Sequence, residues 1–181
     1  IKLGQFLSTR PDIITENISK ELEKLQDKLP PFDTNEAKKI LKEELEEKYF
    51  NQIADLSEPV AAASIAQVHF AKINDSNESK EVAIKILRPN IEKVFNEELD
   101  ALMLLAYITE FFLKKTKRLK LIEVVQLLRE ITNIEMDLRF EAAAANELYE
   151  NTKLDKGFNV PKIYWNYTTK KILTLDKVNG V

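Results

Sequence analysis

The sequence predicts an α+β fold, an antiparallel sheet with a long helix behind it and further helices ahead of it. Three observations carry that expectation. First, residues 65–73 and 82–87 are apolar runs rich in β-branched residues, separated by Asn74-Asp75-Ser76-Asn77-Glu78-Ser79, a turn by composition. Second, apolar residues recur at helical spacing on both sides of that pair, Ile18, Leu22, Leu25 and Leu29 before it and Ile91, Phe95, Leu99, Leu102 and Ala106 after it. Third, the run Val82-Ala83-Ile84-Lys85-Ile86-Leu87 is broken only by Lys85. A lysine within a buried strand is costly unless an anion or a carboxylate meets it.

Composition sets the outer limits. With 181 residues there is room for one core, or one core with a helical appendage. Apolar residues at 44% and charged residues at 31% describe an ordinary globular chain. Thirty acidic side chains nearly balance 27 basic ones, so no overall field attracts nucleic acid, and none is expected as a partner. The absence of cysteine rules out disulfides and thiolate-bound metal and fits a cytoplasmic setting. No secretory signal pattern opens the chain. The longest apolar run, 101–113, is too short to span a bilayer and contains Glu110.

Taken in order, Thr15 caps a helix that runs to Leu29, and Pro30-Pro31 stops it. Asp33 with Glu36 opens the next helix, whose apolar face is Ala37, Ile40, Leu41, Leu45 and Tyr49. Ile53 and Leu56 reach toward the core, and Pro59 suits a strand edge. Beyond the central strands, residues 90–113 form a helix with Ile91, Val94, Phe95, Leu99, Leu102, Leu105 and Ala106 inward. Lys114-Lys115-Thr116-Lys117-Arg118-Leu119-Lys120 is a basic connector, read either as a solvated helix end or as a contact to anionic lipid. Residues 121–150 read as one long helix or two joined ones, with Asp137 and Glu141 on one face. Residues 160–167 and 171–176 are expected to pair as a hairpin. His69, the only histidine, has no serine or metal constellation beside it and is read as structural.

V-A-I-K on the third strand of a small sheet is the lysine signature of protein kinases, where the ammonium meets nucleotide phosphates and a helical glutamate. The glycine-rich loop that should precede it is replaced by Ala61-Ala62-Ala63-Ser64, and no glycine lies between Gly4 and Gly157. Lys2-Leu3-Gly4-Gln5, this alanine loop, Lys85, and Glu135-Met136-Asp137 followed by Glu141 occur in that order along nearly the whole chain. In this the sequence resembles the UbiB-type atypical kinases, the ubiquinone-biosynthesis kinase-like family. The resemblance implies a protein-kinase-like N-lobe over 51–181, truncated at the hinge, with 1–50 as an N-terminal helical extension carrying the KxGQ motif. It also implies ATP or ADP with Mg²⁺ as cofactor, Lys2 and Gln5 folded over the nucleotide cleft, and a place on the cytoplasmic face of the bacterial inner membrane; a mitochondrial setting stays open. Further partners implied are membrane lipid or a quinone precursor, and ubiquinone-biosynthesis enzymes.

The residues themselves leave alternatives. Lys85 is either a phosphate ligand held by Glu141 or an edge-strand lysine pointing to water. Ala61 to Ser64 is either a phosphate-facing loop, stiffer than a glycine loop, or a small-residue strand end packed under a helix. Glu135 and Asp137, alternate residues of a helix, lie on nearly opposite faces and cannot chelate one ion together. One of them would meet Lys2 or Gln5 and the other the cleft or its metal; otherwise Glu135 pairs with Arg139 on the surface. The catalytic-loop Asp and Asn and the D-F-G metal ligand of kinases do not occur in these residues. Leu175-Asp176-Lys177-Val178-Asn179-Gly180 resembles the hinge, with Asp176 where the family usually has Glu. The expected function is therefore the nucleotide-binding lobe of an atypical kinase or ATPase supporting ubiquinone biosynthesis. The alternative is a catalytically inert pseudokinase remnant, or a helical scaffold that binds lipid precursors or biosynthetic enzymes.

Overall fold

The structure is a computed structural model that describes residues 30–75, 78–112, 118–155, 157 and 159–178. Lys2, Gln5 and the helix expected over 15–29 lie outside the described residues, as do 114–117 of the basic connector and 179–181.

Five strands form one antiparallel sheet: β1 (Ile53–Ala54), β2 (Pro59–Ala62), β3 (Ala66–Asp75), β4 (Glu78–Leu87) and β5 (Ile172–Asp176). β1 and β2 share one flank of β3, β4 lies on its other flank, and β5 closes the far edge against β4. The central hairpin is longer than its composition suggests. Asn74, Asp75, Glu78 and Ser79 are ladder residues, Asp75 opposite Glu78, so only residues 76–77 lie between the strands. Polar composition marked the turn, but cross-strand pairing carried the ladder into it.

Period-two alternation divides the sheet into two faces. On one face Val82, Ile84 and Ile86 pack with Ala71, Ile73 and Ile172 against helix α1 (Thr34–Glu44), which buries Ala37, Ile40 and Leu41. Asp33 caps α1 by accepting the Asn35 N–H at 2.6 Å, as its position before the apolar stripe implied. The short α2 (Glu47–Phe50) follows and places Tyr49 edge-on to Tyr167, with ring centroids 5.3 Å apart. On the other face Leu87 and Leu173 pack with Ile65, Ala66 and Met136, and with Leu138 and Ala142 of helix α5 (Leu138–Thr152).

Between β4 and α5 the chain makes a pair of helices, α3 (Ile91–Phe112) and α4 (Leu121–Glu135), around a small cluster of Leu99, Ala106 and Val125. Val94 and Leu105, expected inward, are 45% and 58% exposed. The buried stripe follows the four- and three-residue steps from Ile91 through Phe95, Leu99, Leu102 and Met103 to Ala106, and those two fall beside it. Among the described residues no helix is long and apolar enough to cross a membrane.

At the C-terminal side one alternative is decided and one expectation changes. Residues 121–150 lie on two joined helices, the second of the two readings, divided at Met136-Asp137. Residues 160–167 are not a strand: they supply one bridge, Ile163 to Leu175, and a 3-10 turn at Trp165–Tyr167. Pro161 has no N–H to give a ladder. The Thr174 hydroxyl donates to Tyr167 O at 2.7 Å and holds the turn against β5 instead.

Candidate functional site

Lys85 lies in β4, an interior strand, with Val68 and Leu173 as its cross-strand neighbours. Being one residue out of phase with Ile84 and Ile86, its side chain belongs to the face that α5 covers. Leu138 N–H donates to Lys170 O at 2.9 Å and pins the start of α5 beside β5. Ala142, fully buried, lets the helix approach closely one position after Glu141. The result is an ion pair in which Lys85 Nζ donates to both oxygens of Glu141, at 2.8 and 2.6 Å. An ammonium has three donors, so one remains for a further acceptor. The two side chains are 26% and 49% exposed. A pair so open to water contributes only about 0.2–1 kcal/mol to folding. Its consequence is geometric: the ammonium is aimed.

It is aimed beside an open cavity of ≈ 390 Å³ lined by Ile65, Lys85, Ile134, Glu135, Asp137, Phe140 and Glu141. Glu135 and Asp137 therefore border one cavity, not opposite faces of a helix as their spacing implied. The reason is the helix break: α4 ends at Glu135, and Asp137 is extended (φ −118°, ψ 96°) as the N-cap of α5. For the same reason Asp137 and Glu141 are a cap and a first-turn residue, not two positions on one helical face. The Asp137 carboxylate, nearly buried, accepts from Arg139 N at 3.1 Å, Nε at 2.9 Å and Nη2 at 2.6 Å. Those hydrogen bonds hold its carboxyl below the usual range, against the opposing effect of burial. Arg139 thus serves Asp137, where the sequence suggested Glu135. Among the described residues no group of three or more His, Asp or Glu is arranged to hold a metal ion.

The alanine segment divides in two. Ala61 and Ala62 are strand residues of β2, opposite Val68 and Gln67, and only residues 63–65 form the bend between β2 and β3. Ala63 N–H is given to Ala66 O at 2.8 Å, so it closes the bend and does not point outward. Ser64 sits at the bend, half-buried, and Ile65 reaches the cavity wall.

Three arrangements escaped the sequence. Gln67 accepts from Phe32 N–H at 2.9 Å and donates to Phe32 O at 3.1 Å. Its amide also meets His69 Nε2 at 2.9 Å, while His69 Nδ1 meets Ser57 O at 2.8 Å. A carbonyl only accepts, so Nδ1 carries the proton and Nε2 accepts from Gln67. His69 is fully buried in this network and acts as a strut. Asp176, read as a hinge position, accepts Tyr164 Oη at 2.7 Å and Lys162 N–H at 3.2 Å. The Tyr164 phenol is pushed up to about 12, chiefly by burial and then by that hydrogen bond. The third is Arg88, whose side chain reaches Ala63 O and Pro30 O. The one signal that could have found it is its position, an arginine directly after an apolar strand.

A family pattern described as the ABC1 atypical kinase-like domain matches residues 24–181. The chain belongs to the ABC1 atypical kinase-like family. The antiparallel sheet with its helices is the α+β class expected of a kinase-like domain. Among curated relatives, the chain is 36% identical to the probable protein kinase UbiB of Marinobacter nauticus over its whole length, which is 33% of that protein. It is 37% identical to the probable protein kinase UbiB of Pseudomonas aeruginosa, again over the whole chain and 34% of the relative. With that of Cellvibrio japonicus the identity is 36%, over 32% of its length. The chain spans about a third of the length of the curated relatives it matches.

Proposed function

We propose that these residues are the nucleotide-binding lobe of an atypical kinase or ATPase that supports ubiquinone biosynthesis. The observation that carries the reading is the Lys85–Glu141 pair on an interior strand, beside an open cavity, in a chain of this family. Lys85 contacts a phosphate of ATP or ADP, and Glu141 holds the ammonium in place. The Ala63-Ser64 bend faces the same phosphates through its small side chains and the Ser64 hydroxyl, while Ala61 and Ala62 brace it from β2. The nucleotide fits what is present: a partly exposed ammonium with a donor to spare, beside an open cavity. Among the described residues no group of three or more His, Asp or Glu could hold Mg²⁺ by itself. It would arrive with the phosphates and be held by residues elsewhere.

In this reading residues 1–50 are the extension, with Lys2 and Gln5 covering the cleft and Glu135 or Asp137 turned toward them. Residues 51–181 are the lobe that ends at the hinge. The cytoplasmic face of the bacterial inner membrane, a lipid or quinone precursor, and ubiquinone-biosynthesis enzymes are the location and partners that go with it. Titration of the full-length gene product with ATP and ADP, with and without Mg²⁺, tests the proposal. Saturable binding that Lys85→Met weakens supports it. No binding by the folded wild type points to the inert remnant or scaffold. Within the same experiment, Ala63→Gly should loosen the bend and change the ratio of ATP to ADP affinity. Identical curves for wild type and variant would show that the bend does not govern nucleotide choice.

A further inference from the structure

Arg88 stands directly after β4, three residues beyond Lys85, and is fastened to the bend from behind. Its backbone N–H donates to Ile65 O at 2.8 Å. Its side chain donates from Nε to Ala63 O at 3.1 Å and from Nη1 to Pro30 O at 3.0 Å. Nη2 is buried and has no hydrogen-bond partner among the described residues. Ala63 N–H is already given to Ala66 O, so with Arg88 on its carbonyl both backbone groups of Ala63 are committed. One planar fork therefore fixes three things relative to one another: the end of the Lys85 strand, the bend at 63–65, and the chain entering at Pro30. Both side-chain hydrogen bonds described for this guanidinium go to neutral backbone carbonyls.

The geometry points to Arg88 as a positioning residue that holds the Ala63–Ile65 bend at a fixed height over the strand of Lys85, and so sets how the site distinguishes a nucleoside triphosphate from a diphosphate. This rests on the nucleotide-lobe reading above. A flexible glycine loop would adapt to either phosphate chain; a bend clamped through its carbonyl cannot. The link to Pro30 brings the chain ahead of α1 into the same clamp.

The test uses the full-length gene product with Arg88→Lys and Arg88→Met. ATP and ADP affinities are measured separately by calorimetry, alongside thermal melts and amide exchange of residues 62–66. A lysine has one compact ammonium and cannot span both carbonyls, so it keeps the charge and loses the clamp. Both variants should change the ATP to ADP affinity ratio by at least about fivefold and speed exchange at the bend. Combined with Ala63→Gly, the change in ratio should be less than the sum of the separate effects, because both act through one bend. If Arg88→Met fails to fold, Arg88→Lys carries the test. An unchanged ratio with only a lowered melting temperature overturns the inference and leaves Arg88 as a structural stitch. A wild type that binds neither nucleotide overturns the nucleotide-lobe reading and this inference with it; a binding wild type with an unchanged ratio in the variants overturns the inference alone.

Discussion

At the scale of single residues, the contrast between Lys85 and Asp137 is instructive. Both are charged, both border the same cavity, and both hold their partners at 2.6 Å at closest approach. Lys85 is in an ion pair too solvated to matter much for folding. Lys85→Met should therefore alter the unfolding free energy by less than about 1 kcal/mol. It should nonetheless weaken nucleotide binding roughly 10- to 100-fold, the loss expected for a charged hydrogen bond worth about 1.5–3 kcal/mol. Chemical denaturation and calorimetry on the same samples separate the two effects. Asp137 is the reverse case, a cap whose role is local structure. Asp137→Ala should cost about 0.5–2 kcal/mol through the lost cap, whereas Asp137→Asn keeps a competent cap. The folded carboxyl titrates below its ordinary value of 3.8, so the unfolded chain binds more protons as acid is added. Its contribution is whole above that value and is lost as pH falls through the lower folded one. Acid unfolding curves should show this loss in the wild type and not in Asp137→Asn.

At the scale of elements, the sequence was most legible where side chains decide and least where the backbone does. The apolar stripe of α1, the Asp33 cap and the strand carrying Lys85 follow from spacing and side-chain chemistry, and the structure has them. Two joined helices were one of the readings of 121–150, but the place of the break, Met136-Asp137, was not legible because nothing near it is glycine or proline; Asp137 caps the second helix. The Val160 to Tyr167 segment has strand composition, yet Pro161 and the tyrosine packing turn it into a bridge and a single turn. The Gln67–His69 network could not be read at all, since its partners Ser57 and Phe32 are brought there by folding. It ties the segment before α1 to the sheet. Gln67→Leu would leave the Phe32 amide and a histidine nitrogen buried without partners, at a cost of at least about 1–3 kcal/mol. Urea unfolding measures it, and an unchanged midpoint would show that the network is dispensable.

At the scale of the whole molecule, β5 is the sheet's far edge, held by its ladder to β4 and by the buried Ile172 and Leu173, with two hydrogen bonds of titratable groups beside them. Tyr164 donates to Asp176, and Lys171 donates to Glu44 at 2.7 Å, joining β5 to α1. Hydrogen bonding to Glu44 raises the Lys171 ammonium above its ordinary 10.5, and Tyr164 is raised from 10.0 to about 12. Groups raised on folding give stability that is complete below their unfolded values and lost as pH climbs through the folded ones. Stability should therefore fall between about pH 10 and 12, with amide exchange opening first at residues 162–176; Tyr164→Phe should shallow that fall. Exchange beginning elsewhere would place the weak edge in another part of the fold. The same edge borders the site through Leu173, the cross-strand neighbour of Lys85, so its integrity and the aim of the ammonium are linked.

The most direct measurement of the central claim is covalent labelling of the full-length gene product with an acyl-phosphate derivative of ATP, which acylates a lysine amine lying at the phosphates. Lys85 should be the principal modified residue by peptide mass spectrometry, with labelling suppressed by excess ATP. Labelling spread over surface lysines, or labelling of Lys85 that excess nucleotide leaves untouched, would contradict it.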